Sequence, residues 1–140
     1  MPALRRYNGF ISHAWRYNEE YYRLETMLKT AINFDFYNYS VPEHNPLIPR
    51  TLKALGLALE KQMRLAQFVL VISGMYVAYS DWIDFEIAYA VRTGKPIIGI
   101  NPRGSLVTPR AVSRNAKIMV GWNTTSIVSA IRTYALQPVR

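Results

Sequence analysis

Residues 68–72, Phe-Val-Leu-Val-Ile, form an unbroken apolar run, and this run constrains the fold more than any other feature of the chain. A strand that is apolar at every position has to be covered on both faces, which is the pattern of an inner strand of a parallel sheet. PIIGI at 96–100 and KIMV at 117–120 repeat the pattern. YNGFIS at 7–12 reads as a first strand, and the aromatic, alternating FDFYNY at 34–39 as a strand towards a sheet edge.

Parallel strands need crossover connections rather than tight turns, and amphipathic segments lie where the crossovers belong. Residues 18–32 read as a helix, with Asn18 as N-cap, Glu19 and Glu20 in the first turn, and Tyr21, Leu24, Leu28 and Ile32 as the inward stripe. Leu52, Leu55, Leu59 and Met63 mark a second helix, after the proline-rich loop SVPEHNPLIPR. SDWIDFEIAYA at 80–90 begins a third, which ends near Gly94; Ile83, Ile87, Ala90 and Val91 make its apolar face, with Glu86 at the edge. The loop 101–115 holds one helical turn from Thr108–Pro109, and a last helix runs from Asn123 to Leu136 with Ile127, Ile131 and Tyr134 inward. The expected fold is α/β: a three-layer, flavodoxin-like sandwich around a five-stranded parallel sheet of order 2-1-3-4-5.

The 140 residues are read as a single domain, 1–140, with no repeat or linker. No apolar run reaches the roughly 18–20 residues that cross a bilayer, so no membrane partner is expected. MPALRRYNGFISHAW lacks the long apolar segment of a signal peptide, and the absence of cysteine fits a reducing compartment, so the expected location is cytoplasmic. Without cysteine there is no disulfide or thiolate chemistry, and two histidines among scattered acids offer no metal cluster. A P-loop is absent, and Ser-His stands after the first strand where a phospho-receiver would carry acids. The formal charge of +8 favours anionic partners, but it is spread along the chain, so nucleic-acid binding ranks third among the functional readings.

In open parallel sheets ligands bind beyond the carboxyl ends of the strands, where the strand order reverses. Those ends carry Ser12-His13-Ala14-Trp15, the loop from Ser40, Ser73-Gly74-Met75, Asn101 to Arg110, and Gly121-Trp122. Trp82 and Glu86 fall in the first turn and a half of the third helix, one turn apart, so both suit the wall of such a cleft. Each also has a plain structural use: a carboxylate on a solvated edge, a tryptophan as packing anchor.

YNGFISHAW resembles the opening strand and loop of Toll/interleukin-1 receptor (TIR) domains, and SGMYVAYSDWIDFEI their later box with Ser-x-Trp-x-x-x-Glu at a helix start. GKPIIGI is similar to the strand that follows, and NYSVPEHNPL and VGWNTTSIVSAIR resemble the prokaryotic subfamily that includes TIR components of Thoeris anti-phage defence systems. The chain departs from many TIR domains in lacking the Pro-Gly after the second strand and in carrying Ile83 after the tryptophan.

The resemblance implies an enzyme that cleaves NAD at the nicotinamide–ribose bond, with NAD as substrate and no cofactor. It makes Glu86 the catalytic glutamate and places Phe10, Ser12, Trp15 and Trp82 at the nucleotide cleft. Ser12 suits a phosphate or ribose oxygen, or a turn; His13 a phosphate, or a structural loop; Trp15 closes the cleft or packs beneath it. Tyr39 and Ser40, with His44, belong to a loop that serves as lid or assembly surface. Implied partners are further copies of the chain, a phage-derived trigger and an effector that senses the nucleotide product. The competing reading is a non-catalytic adaptor that acts by self-association.

Overall fold

The computed structural model describes residues 5–12, 19–40, 57, 60–73, 80–102 and 109–137, with residues 80–82 described by their backbone alone. The chain runs β1 (Arg6–Ile11), α1 (Glu19–Lys29), β2 (Asp35–Asn38), β3 (Phe68–Ile72), α2 (Ser80–Arg92), β4 (Ile97–Asn101), α3 (Arg110–Asn115), β5 (Ile118–Gly121) and α4 (Thr124–Tyr134). The five strands pair in parallel in the order β2-β1-β3-β4-β5, as the apolar runs predict. All of β3 is buried, as are Ile97 to Ile100 of β4, while β2 lies at the edge and buries only alternate positions.

Strand alternation and register divide the sheet into two faces. Tyr7, Gly9 and Ile11 share a face with Phe36, Asn38, Phe68, Leu70, Ile98 and Ile100. On that side α1 packs on β2 and against α4, which lies over β5 and β4. Phe10, Val69, Val71 and Gly99 point to the other face, where Val112 of α3 comes over Gly99 and α2 packs beside α3. The result is two helix layers around one sheet.

Local chemistry sets the helix ends. Glu19 and Glu20 occupy the first turn of α1 and Lys29 the last, each charge opposite to the nearby end of the helix dipole. The Asn123 side chain caps α4 by accepting from Ser126 N–H at 2.8 Å. After α2, Gly94 takes φ +73°, a left-handed conformation that ends the helix without Cβ strain. Lys95 follows, half-buried, and its Nζ donates to the carbonyls of Arg64 and Ala66 at 2.9 and 2.6 Å. Burial holds that ammonium's pKa below its usual value. Arg92 pairs with Glu60 at 2.9 Å, so the end of α2 is tied to the segment that leads into β3.

Three expected positions move. Tyr21, Leu24 and Leu28 are buried, but Ile32 is 87% exposed, because α1 stops at Lys29 and the chain turns through Asn33 at φ 56°. Val91 is 55% exposed rather than inward. At about 100° per residue, Ile83, Glu86, Ile87 and Ala90 occupy one arc, and Val91 stands roughly 90° from its centre. Leu136 lies past the end of α4 and is 41% exposed, whereas Ile127 and Ile131 are buried and Tyr134 half-buried. The turn expected at Thr108–Pro109 is a six-residue helix, α3, with Pro109 at its N-cap. Met63 is buried at the end of a helical turn at 60–63; Leu52, Leu55 and Leu59 lie outside the described residues, as does Asn18.

Gly9 marks the tightest packing of the sheet. A Cβ there would stand 2.5 and 2.6 Å from the Phe68 ring and 2.8 Å from that of Phe36, two side chains fixed inside the core. At Gly99 the first atoms met belong to the flexible end of Met119, with Val112 Cγ1 next at 3.1 Å. Gly9→Ala is therefore expected to cost about 1–3 kcal/mol, the usual range for overpacking, and Gly99→Ala distinctly less. Urea unfolding of both variants measures the difference.

Candidate functional site

The site is built from the carboxyl ends of β1, β3 and β4. Ser12 follows β1, and its N–H donates to Leu70 O at 2.8 Å, which extends the ladder with β3 by one residue. It is fully buried, and its hydroxyl has no hydrogen-bond partner among the described residues. Unbonded buried hydroxyls are uncommon because each costs desolvation energy, so an unused one at a strand end suits a ligand. Phe10, two residues earlier on the same face, is also fully buried, beside Val69 of β3. Ser73 follows β3 directly and Asn101 ends β4, and Ser73 Oγ–H donates to Asn101 Oδ1 at 3.1 Å.

Glu86 lies in α2, on the helix layer that covers this same face. Its exposure is 0%, so it sits within the apolar stripe rather than at its edge. Its neighbours on the helix, Ile83 at i−3, Ile87 at i+1 and Ala90 at i+4, are exposed by 4% or less. Taking a carboxylate out of water costs on the order of several kcal/mol, which its surroundings must repay. An apolar side chain in the same place would gain from burial instead. Buried acids are either held by pairing and hydrogen bonds or belong to a site.

The residues after β2 serve differently. Ser40 is fully buried; its Oγ accepts from Ile11 N–H at 3.2 Å and lies 2.9 Å from the Tyr21 hydroxyl, which donates to Ser40 O at 2.7 Å. Asn38 completes the cluster: its Nδ2 donates to Glu25 Oε2 at 2.7 Å and to Tyr21 at 3.0 Å, and its Oδ1 accepts from Ser40 N–H at 2.9 Å. Burial pushes the Tyr21 phenol up to about 12, against the hydrogen bonds from Ser40 and Asn38 and with help from the Glu25 charge. This network stands on the α1 side of the sheet and fastens β2 to β1, a structural use of Ser40. Tyr39 N–H donates to Gly9 O at 2.9 Å, and its half-exposed ring packs edge-on to Tyr37 at 4.8 Å.

The structure thus brings Phe10 and Ser12 to the face of the sheet that α2 covers, and Ser40 to the opposite one. Trp82 has its backbone in the first turn of α2, and its side chain lies outside the described residues. His13, Trp15 and His44 lie outside them too. Sequence reasoning missed Asn38 and Glu25, and it placed Ser73 and Asn101 at the strand ends without giving either a role. The signal for Asn38 was present, since alternation in FDFYNY sends it inward, and a buried amide requires partners. Among the described residues no group of His, Cys, Asp or Glu is placed to hold a metal, and no helix is long and apolar enough to cross a membrane. A groove of about 620 Å³ opens between α1 and α4, where Met27 and Val128 meet Arg132, on the layer away from Glu86.

The model of the family described as Thoeris protein ThsB, TIR-like domain, matches residues 10–106. The chain belongs to this family. The match runs from the last two residues of β1 to beyond the end of β4 and so includes Ser12, Ser73, Glu86 and Asn101. No curated protein shows a significant match. Membership of the Thoeris TIR-like family supports a role in anti-phage defence, and the parallel sheet of order 2-1-3-4-5 agrees with the TIR fold.

Tyr21→Phe removes the hydroxyl that joins Ser40 to Asn38 and leaves their polar atoms underbonded, at an expected cost of about 1–3 kcal/mol. The folded chain binds the phenolic proton more tightly than the unfolded chain, whose tyrosine titrates near 10. The stabilisation is complete below pH 10 and falls away as pH rises towards 12. Denaturant unfolding across that window should show a steeper alkaline loss for the parent chain than for Tyr21→Phe.

Proposed function

We propose that this Thoeris TIR-like domain cleaves NAD at the nicotinamide–ribose bond, with Glu86 as the catalytic carboxylate, and produces ADP-ribose or a cyclic ADP-ribose-type signal. The observation that carries the reading is the complete burial of Glu86 in the helix layer over the face that presents Ser12, in a chain of this family.

The chemistry needs only one acid. An ordinary glycosidase uses two carboxyl groups, because the departing sugar oxygen has to be protonated. Nicotinamide leaves its ribose as a neutral pyridine and takes both electrons of the broken bond with it, so no general acid is required. The ribose carbon left behind is electron-poor, like an oxocarbenium ion. A carboxylate held in a site shielded from water stabilises that charge more strongly than one in bulk solvent. The same oxygen atoms accept the proton of the attacking nucleophile, water for hydrolysis or a hydroxyl of the substrate for cyclisation.

In this reading the Ser12 hydroxyl donates to a ribose or phosphate oxygen, and Phe10 forms the apolar floor beneath. The Trp82 indole, one turn before Glu86, stacks on a planar base, and His13 and Trp15 complete the cleft on the β1 side. Tyr39 borders it from the β2 end, with Ser40 holding that end in place. Self-association, a phage-derived trigger and an effector that reads the nucleotide product belong to the same proposal, in the cytoplasm.

The test is nicotinamide release from NAD by the concentrated full chain, with its activating partner present. Glu86→Gln preserves shape and removes the charge. It is expected to lower turnover roughly 10²–10⁴-fold, the scale of a positioned acid–base group, with an unchanged circular dichroism spectrum. Equal rates for the two chains would overturn the assignment and leave the adaptor reading in its place.

A further inference from the structure

The formal charge of +8 is spread along the sequence, but the fold gathers cations at one end of the molecule. Parallel strands all begin at one rim of the sheet, and the helices that cross over between them end there too. Each described helix carries a cation in its last turn: Lys29, Arg92, Arg114 and Arg132. The helix dipole accounts for those four. It does not account for Arg5 and Arg6, which lead into β1, and Lys61, Arg64, Lys95 and Lys117 crowd the same rim. The carboxylates there among the described residues, Asp35 and Glu60, are paired with Arg6 and Arg92. Lys61, Arg64 and Lys117 are exposed and have no ion pair among the described residues.

Three large aliphatic side chains stand among these cations. Ile32 is 87% exposed, Leu65 58% and Leu136 41%. Hydrogen bonds join their segments into one continuous surface. Leu136 N–H donates to Gln67 O at 3.0 Å, and the Arg5 guanidinium donates to Leu136 O. Arg132 reaches Asn33 O, next to Ile32, at 2.7 Å, and Lys95 holds the carbonyls on either side of Leu65.

We propose that this amino-end rim is a docking surface for a bilayer rich in anionic lipid. Its cations meet the headgroups, and Ile32, Leu65 and Leu136 enter the boundary with the acyl chains. The proposal stands independently of the NAD reading.

A peripheral site of this kind combines charge attraction with burial of apolar surface, and it needs no helix that spans the bilayer. Among the described residues no helix is long and apolar enough to do so. A nucleic acid suits the rim less well. It is held through its phosphates and through bases stacked on open aromatic rings, and aliphatic side chains add nothing to a phosphodiester. The rings near this rim are already covered. Tyr7 and Phe34 stack on each other at 5.2 Å, with Arg5 over Tyr7 at 4.3 Å and Arg132 over Phe34 at 5.7 Å. Arg6 stands over Tyr37 in the same way, at 5.7 Å. What this rim offers a partner is therefore cationic and aliphatic. Lysine and arginine stems add to the apolar part, since they lie along acyl chains while their charged heads reach phosphate. Docked in this way, the domain holds Ser12 and the opposite rim away from the bilayer, towards water-soluble ligands.

The experiment measures partitioning of the full chain onto sedimented vesicles, at low and at physiological salt. The vesicles contain phosphatidylcholine alone, or phosphatidylcholine and phosphatidylglycerol in equal parts. The parent chain is expected to bind the mixed vesicles about tenfold or more tighter than the neutral ones, and salt to weaken that binding. Lys61→Gln, Arg64→Gln and Lys117→Gln together are expected to lower the partition coefficient on mixed vesicles by about tenfold or more. Ile32→Ser with Leu65→Ser is expected to lower it by about tenfold, with an unchanged circular dichroism spectrum. Should that pair disturb folding, Ile32→Ser alone carries the same comparison. Failure of the folded parent chain to bind mixed vesicles overturns the proposal, as does equal binding to both kinds of vesicle. Charge-dependent binding that the apolar variants leave unchanged overturns it too; equal affinity for DNA would then mark the rim as a nucleic-acid surface.

Discussion

Two-sided burial of β3 and β4 is the constraint on which the rest of the structure depends. Their side chains are sealed above and below, so the sheet needs a helix layer on each face, and the crossovers that connect parallel strands supply them. The sheet then has only one kind of place to present polar groups without harming the core, namely the ends of its strands. Ser12, Ser73 and Asn101 occupy those ends, and Glu86 comes down to the same face from α2.

Buried polar groups divide between the two faces by use. On the α1 side, Asn38, Tyr21, Ser40 and Glu25 satisfy one another and hold the edge strand in place. A network of that kind specifies one arrangement of β2 against β1, since a slipped register would strand several buried donors at once. On the α2 side the described polar groups, Ser12, Ser73, Asn101 and Glu86, adjoin apolar side chains of the sheet and of α2. Charges act more strongly in such surroundings than in water.

Much of this was legible in the chain. Continuous apolar runs fixed the inner strands, alternation in FDFYNY identified the edge, and one box of residues led to Glu86. Helix faces were read less well, since Ile32 and Val91 fit an apolar period while lying past a helix end or off its arc. A period shows that a face exists; where the helix stops depends on turns such as that at Asn33, which periodicity does not encode. Glu86 seemed to border the stripe for a related reason. Its position at i+3 from Ile83 is inward by geometry, and only its chemistry argued for the outside. The bond between Ser73 and Asn101 joins residues 28 apart and follows from strand register, which no local pattern reveals.

Lys95 and Arg92 anchor the carboxyl end of the helix that carries Glu86. That end is bolted to the carbonyls of Arg64 and Ala66 and to Glu60, all at the amino-end rim of β3. Both cations also stand at the negative pole of the helix dipole, so one set of contacts ties the helix to the sheet and offsets its terminal charge. The seating of α2 is thereby set at the rim opposite to the one where Ser12, Ser73 and Asn101 stand.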